Sequence, residues 1–199
     1  MTLLAVVRHG PTEWNAIGRV QGRTDVPLSP GGRDEVRRWV LPPEVDGFSW
    51  VSSPLVRTAE TARILRGGDV ERDARLIEMD WAAWEGATLA ALRAELGDLM
   101  QAWEARGLDF RAPGGESPRD VQARIAPFLA EVAGRGGATV AVTHKGVIRA
   151  LYALATGWDM TGKPPHKLHD SALHLFRLAA NGTPAPDRLN IPLIDGGNP

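Results

Sequence analysis

Leu3-Leu4-Ala5-Val6-Val7-Arg8-His9-Gly10-Pro11-Thr12 opens the chain with an apolar, partly β-branched run that stops at Arg-His-Gly-Pro. That pattern predicts a buried strand delivering a guanidinium and an imidazole to a turn at its carboxyl end. In open α/β sheets that edge is where ligands bind. A neutral imidazole is a nitrogen nucleophile towards phosphorus, and an adjacent guanidinium binds phosphate through its fork while disfavouring protonation of the ring.

The same arrangement recurs downstream. Ala138-Thr139-Val140-Ala141-Val142-Thr143 is a second apolar strand, and it ends in His144-Lys145-Gly146. A helix over residues 147–156 follows, and its N-terminal amides are suited to an anion. Between the two, Phe48-Ser49-Trp50-Val51-Ser52 predicts a short strand, and Pro54 starts a helix with Arg57 in its first turn. Three strand ends thus carry two histidines and two arginines. Whether the strands are neighbours does not follow from their positions in the chain.

The remaining segments are read from caps and periodicity. Thr12 to Gly22 is a polar loop in which Trp14, Asn15, Gln21 and Gly22 are free to line a pocket. Ser29 caps a helix that begins at Pro30 and ends before Pro42-Pro43. Val70 to Arg75 is extended. Leu76 to Gly86 holds Glu78, Asp80 and Glu85 among Trp81 and Trp84, where apolar walls would keep a carboxyl protonated and fit to act as a general acid. One long helix is expected over 88–106, with Leu89, Leu92, Leu96, Leu99, Met100 and Trp103 as its apolar stripe. Pro113-Gly114-Gly115 is a loop. Ser117 caps a helix running to Gly134, which Pro127 should kink or interrupt. Leu173 to Leu178 is the last core strand, and the tail from Asn181 is irregular and superficial.

Composition narrows the classes of function. The chain has 199 residues, 23 basic and 24 acidic side chains, and no cysteine. A length of this order suits a single domain with one sizeable core. The balanced charge gives no reason to bind nucleic acid or an anionic membrane, so any anion site is local. Disulfides, thiolate catalysis and cysteine-based zinc sites are excluded. The apolar runs are too short to span a bilayer and no signal peptide is recognisable, so a cytoplasmic location is expected.

Arg8-His9-Gly10-Pro11-Thr12-Glu13-Trp14-Asn15 resembles the signature of the histidine phosphatase superfamily, the phosphoglycerate mutase-like proteins. So do Gln21-Gly22, Ser53-Pro54 with Arg57-Thr58, Leu76 with Glu78, Trp84-Glu85-Gly86, Pro113-Gly114-Gly115-Glu116-Ser117 and Thr143-His144-Lys145-Gly146. These matches run in order from residue 3 to about residue 150. The resemblance implies a three-layer α/β/α sandwich with a mainly parallel sheet, and a helical cap around 87–115. It also implies a reaction through a phosphohistidine without metal or other cofactor.

Carried over residue by residue, His9 is the nucleophile, Arg8, Arg57 and His144 bind the phosphoryl oxygens with Asn15 assisting, and Glu78 is the proton donor. Gln21, Gly22, Lys145 and Gly146 complete the expected substrate-binding set, Lys145 facing either substrate or solvent. The sequence departs from the pattern at Ala82-Ala83, where many relatives have a glycine, which leaves Asp80 and Glu85 as alternative donors. His166 and His169 would meet on a helix beside Asp170, which admits a metal reading, although surface positions are the plainer one.

The expected function is a metal-independent phosphomonoesterase acting on a small phosphorylated metabolite. Trp103, Arg106 and Arg111 of the cap are candidates to contact the rest of that ligand. The chain is shorter than glycolytic mutases, which favours hydrolysis of the phosphohistidine. A phosphoglycerate mutase and a catalytically silent phosphate-binding protein are the alternatives. A homodimer is compatible with the sequence.

Overall fold

The computed structural model describes residues 1–193. The elements in chain order are β1 (Thr2–Arg8), α1 (Glu13–Ala16), α2 (Pro30–Arg38), β2 (Ser49–Ser52), α3 (Val56–Arg66) and β3 (Glu71–Arg72). They continue with α4 (Leu89–Leu96), α5 (Asp98–Glu104), α6 (Pro118–Arg135), β4 (Thr139–Thr143), α7 (Lys145–Thr156), β5 (Ala172–Leu178) and β6 (Pro184–Pro192). The strands form one sheet in the order β3-β2-β4-β1-β5-β6. The pairs among β1 to β4 are parallel, and β5 and β6 are added antiparallel.

Alternation along the strands separates two apolar layers, since successive side chains leave opposite faces. Leu4, Val6 and Phe176 pack against α6 and α7 through Val121, Ile125, Ile148 and Leu151. Ala5, Val7, Leu173 and Leu175 face Val36 of α2 and Ile64 and Leu65 of α3. Helices on both faces of a mainly parallel sheet make the three-layer sandwich. A third cluster, Val20, Trp84, Leu92, Met100 and Ala112, forms the cap's own small core. No helix among the described residues is long and apolar enough to cross a membrane.

Several local expectations are corrected. The loop after β1 contains the single turn α1, stabilised by a reciprocal capping box between Thr12 and Asn15. Helix α3 starts at Val56 rather than Pro54, because the Val56 amide is capped from outside by Asp25 Oδ1 at 2.7 Å. The extended run at 70–75 is reduced to the two-residue β3, followed by a 3-10 turn at Ala74–Leu76.

The long cap helix is two helices. Gly97 breaks it at φ 50° and ψ −125°, a conformation that side chains disfavour. The break rotates the second half, so Leu92 and Met100 are buried while Leu89 and Leu99 are exposed. Helix α6 instead runs through Pro127 as one element. An internal proline costs about 3 kcal/mol, and the buried stripe from Val121 to Val132 offsets it.

The tail from Asn181 is not irregular. After a turn at Gly182 it becomes the edge strand β6, in which Pro184, Pro186 and Pro192 are accommodated. An edge strand needs only alternate backbone groups for pairing, so residues that read as breakers are tolerated there. The last part of that tail, residues 194–199, lies outside the described residues.

Candidate active site

Strands β1 and β4 are parallel neighbours with Arg8 opposite Thr143, so their carboxyl ends open on the same edge. The His9 amide extends the ladder by donating to the Thr143 carbonyl at 3.0 Å. This brings the His9 and His144 rings to 5.3 Å between centroids. Both are buried.

The tautomer of His9 follows from its partner. Nδ1 lies 2.7 Å from the Gly10 carbonyl oxygen, which can only accept, so Nδ1 carries the proton and Nε2 keeps its lone pair. Burial foremost, then the Arg8 and Arg57 charges, holds the imidazole well below its ordinary value of 6.5 and outweighs the Gly10 bond, which acts the other way. The ring is therefore neutral at physiological pH. Position 10 requires glycine, because a Cβ there would stand 2.3 Å from Val36. The Gly10 amide donates to Thr61 Oγ1 at 3.0 Å, and that hydroxyl donates to the Arg57 carbonyl at 2.7 Å. Thr61 thus ties the turn that follows His9 to the helix that carries Arg57.

Arg57 is fully buried. Its Nη2 donates to the Gly22 carbonyl at 2.8 Å and its Nη1 to the Thr24 carbonyl at 2.9 Å, leaving Nε buried without a partner. Arg8 is held similarly: Nη1 pairs with Asp170 at 2.6 Å and Nε is buried and unpartnered. His144 Nε2 meets Ser53 Oγ at 2.8 Å, and its Nδ1 is also buried without a partner. Unsatisfied buried donors are costly, of the order of 1–3 kcal/mol each. Three such nitrogens around one sheet edge suit an oxyanion.

Glu78 is the only one of the three candidate acids that is buried without a basic partner. Its Oε1 accepts from the Met79 amide at 2.7 Å and its Oε2 from the Gly146 amide at 3.2 Å. Burial raises its pKa above 4.5 despite those bonds and the charges of Arg57 and Arg8. Asp80 is instead engaged by the Ala82 amide and by Arg23 at 3.2 Å. Glu85 accepts from the Arg23 and Thr24 amides at 2.7 and 2.8 Å, and also from the Thr24 hydroxyl. Burial pushes Glu85 up, but these bonds outweigh it and leave the carboxyl below 4.5.

The other anticipated residues are distributed unevenly. Asn15 spends its Oδ1 on the Thr12 amide, and Gln21 Nε2 donates to Thr12 Oγ1 at 2.7 Å with Oε1 buried and unpartnered. Gly22 and Gly146 support neighbours: a Cβ would lie 1.8 Å from Glu85 Oε1 at the first and 2.3 Å from Glu78 Oε1 at the second. Lys145 is exposed and pairs with Asp170 at 3.3 Å. In the cap, the Trp103 and Trp84 rings are tilted against each other at 5.4 Å, and the exposed Arg111 pairs with Asp120 at 2.5 Å. His166 and His169 do not share a helix. The Tyr152 hydroxyl meets His166 Nδ1 at 3.3 Å, and the His169 amide bonds Asn190 Oδ1.

Arg124 escaped sequence reasoning. From α6 it donates to the carbonyls of Arg75 at 2.5 Å and Ile77 at 2.6 Å, and to Glu116 at 3.1 Å. It holds the segment leading to Glu78. Nothing local distinguishes it from the surface arginines of the same helix.

The whole chain compares with known proteins as its site suggests. The model of the histidine phosphatase superfamily, branch 1, matches residues 4–191. A 2,3-bisphosphoglycerate-dependent phosphoglycerate mutase of Rhizobium etli is 38% identical over 165 residues, covering 76% of this chain and 78% of that one. A glucosyl-3-phosphoglycerate phosphatase of Mycobacterium tuberculosis is 38% identical over 167 residues, covering 75% and 73%. A structure of mycobacterial glucosyl-3-phosphoglycerate phosphatase with inorganic phosphate superposes with a TM-score of 0.81 at 28% identity, over 97% of this chain and 99% of that one. With the match spanning both strand ends that carry His9 and His144, this chain belongs to the histidine phosphatase superfamily, branch 1.

Proposed function

We propose that the protein is a phosphomonoesterase that acts through a phosphohistidine at His9. The observation carrying this reading is the neutral His9 ring with Nδ1 spent on Gly10 and Nε2 free, under the influence of two guanidiniums. Nε2 attacks the phosphorus as the ester oxygen leaves. Glu78, whose affinity for a proton burial raises, gives that oxygen its proton and then takes one from the water that attacks phospho-His9. His144, held well below 6.5 by burial, supplies a neutral ring nitrogen to the equatorial oxygens, and Arg8 and Arg57 supply charge and donors, the requirement that dominates phosphoryl transfer. These cations perform the role a metal ion would fill, so the reaction is proposed to be metal-independent. The substrate is a small phosphorylated metabolite.

The mutase reading is favoured by the Rhizobium relative. One alignment that covers similar shares of both chains makes them nearly equal in length, so chain length does not separate the two activities. The Mycobacterium relative and the superposed structure, both named as phosphatases, support hydrolysis.

The test is phosphate release from a panel of phosphorylated metabolites without added metal, with His9→Ala as control and 3-phosphoglycerate followed for isomerisation. Release that disappears in His9→Ala supports the phosphatase. Interconversion without release replaces it with the mutase, and no turnover at all with a phosphate-binding protein.

A further inference from the structure

Trp103 and Arg111 of the cap are engaged by Trp84 and Asp120, and a cavity among the described residues lies elsewhere. It measures about 220 Å³ and sits between the first turns of α7 and the segment 158–170, with Arg8 at its edge. Its walls are mainly apolar, formed by Ile148, Trp158 and Leu168 among others. Four cations line it, Arg8, Lys145, Arg149 and Lys167, against the single carboxylate Asp170. That carboxylate is already matched, since Arg8 and Lys145 both reach its Oδ2, at 2.6 and 3.3 Å.

Two of these charges, Arg149 and the exposed Lys167, are uncommitted among the described residues, and Arg149 is the half-buried one. Its guanidinium lies 5.3 Å from the centre of the Trp158 ring, half-buried, and it joins no ion pair or side-chain hydrogen bond among the described residues. A guanidinium over an indole face spends none of its N–H donors on the ring, and these suit a carboxylate. A cavity of about 150 Å³ accommodates a benzene ring, so this one takes a ring-sized body together with an acidic group. Arg8 lines the cavity and belongs to the site around His9, so the two lie side by side.

We propose that this cavity is the leaving-group subsite, and that the preferred substrate is a phosphomonoester whose alcohol carries an apolar, ring-sized body and a carboxylate received by Arg149. The proposal rests on the phosphatase reading above and adds to it the recognition of the non-phosphate part.

The test compares phenyl phosphate with 3-carboxyphenyl phosphate in wild type, Arg149→Met and Arg149→Lys, with thermal melts to verify folding. The wild type should favour the carboxylated ester in kcat/KM by about tenfold, the yield of one charge-assisted hydrogen bond. In Arg149→Met that preference should fall towards one, chiefly through KM, and Arg149→Lys should lie between. Turnover of phenyl phosphate with no preference in the wild type, or with a preference that survives in Arg149→Met, overturns the subsite and leaves the phosphatase standing. Absence of turnover on both esters and on the whole metabolite panel removes the phosphatase reading instead. Calorimetric titration with benzoate then decides the cavity: binding lost in Arg149→Met supports an acid-binding subsite, and no binding to the wild type overturns it.

Discussion

Gly146 and Glu78 are fitted to one another: the Gly146 amide donates to Oε2 at 3.2 Å, while a Cβ at position 146 would fall 2.3 Å from Oε1. The carboxyl can occupy its buried place only because residue 146 has no side chain. Helix α7, which follows His144, therefore positions the proposed acid as well as a phosphate ligand.

Gly146→Ala should accordingly displace Glu78 without touching Arg8, Arg57 or His9. We expect kcat on a poor leaving group to fall by about 100-fold, the cost of a misplacement near 1 Å. Inhibition by inorganic phosphate should change little. Steady-state kinetics with phosphate as a competitive inhibitor checks both.

The pH profile follows from two opposed shifts. Burial, reinforced by Arg8 and Arg57, moves His9 well below 6.5, and burial lifts Glu78 above 4.5. Attack requires neutral His9 and donation requires protonated Glu78. The rate should rise as pH climbs through the lowered His9 value and fall as it climbs through the raised Glu78 value. Glu78→Gln should abolish the falling limb and cost about 10²–10⁴-fold, less on esters with an activated leaving group. A pH series of kcat/KM for both forms is the measurement.

Arg57→Lys should be far from conservative. The two carbonyls that hold Nη1 and Nη2 fix a planar fork and leave Nε for the oxyanion, and an ammonium cannot satisfy all three. A loss of about 10²–10³-fold in kcat is expected, comparable with removing an oxyanion-hole donor. If single-turnover rates in Arg57→Lys stayed within a few-fold of wild type, Arg57 would not contact the transferring group.

Ala82 adopts φ 42°, in the left-handed region that favours glycine. It follows Asp80 and Trp81 in the segment between Glu78 and Glu85. Ala82→Gly should stabilise the fold by about 1 kcal/mol, raising Tm by about 2–4 °C for a chain of this size. Thermal melts of the two proteins compare them directly.

Much of this architecture was legible because it is recorded locally. The runs ending at Arg8-His9 and at Thr143-His144 are strands where they were expected, and Ser29 with Pro30 and Ser117 with Pro118 start their helices as their caps indicate. Local signals misled where position in the sheet overrode them. The proline-rich segment from Pro184 to Pro192 pairs with β5 because an edge strand leaves half of its backbone groups unneeded. At Gly97 the apolar stripe gave no sign that the helix would break.

By itself the sequence determined which side chains can do chemistry and that they stand at strand ends, because periodicity, caps and turns arise between residues close in the chain. Only the tertiary structure decided that β1 and β4 are neighbours, that His9 carries its proton on Nδ1, that Glu78 rather than Asp80 or Glu85 is buried without a basic partner, and that Arg124 holds the segment leading to it. Apart from the His9–Gly10 bond between neighbours, those outcomes depend on contacts between residues tens of positions apart. Solvent exclusion and hydrogen-bond partners, the quantities that set tautomer and pKa, exist only once those contacts have formed.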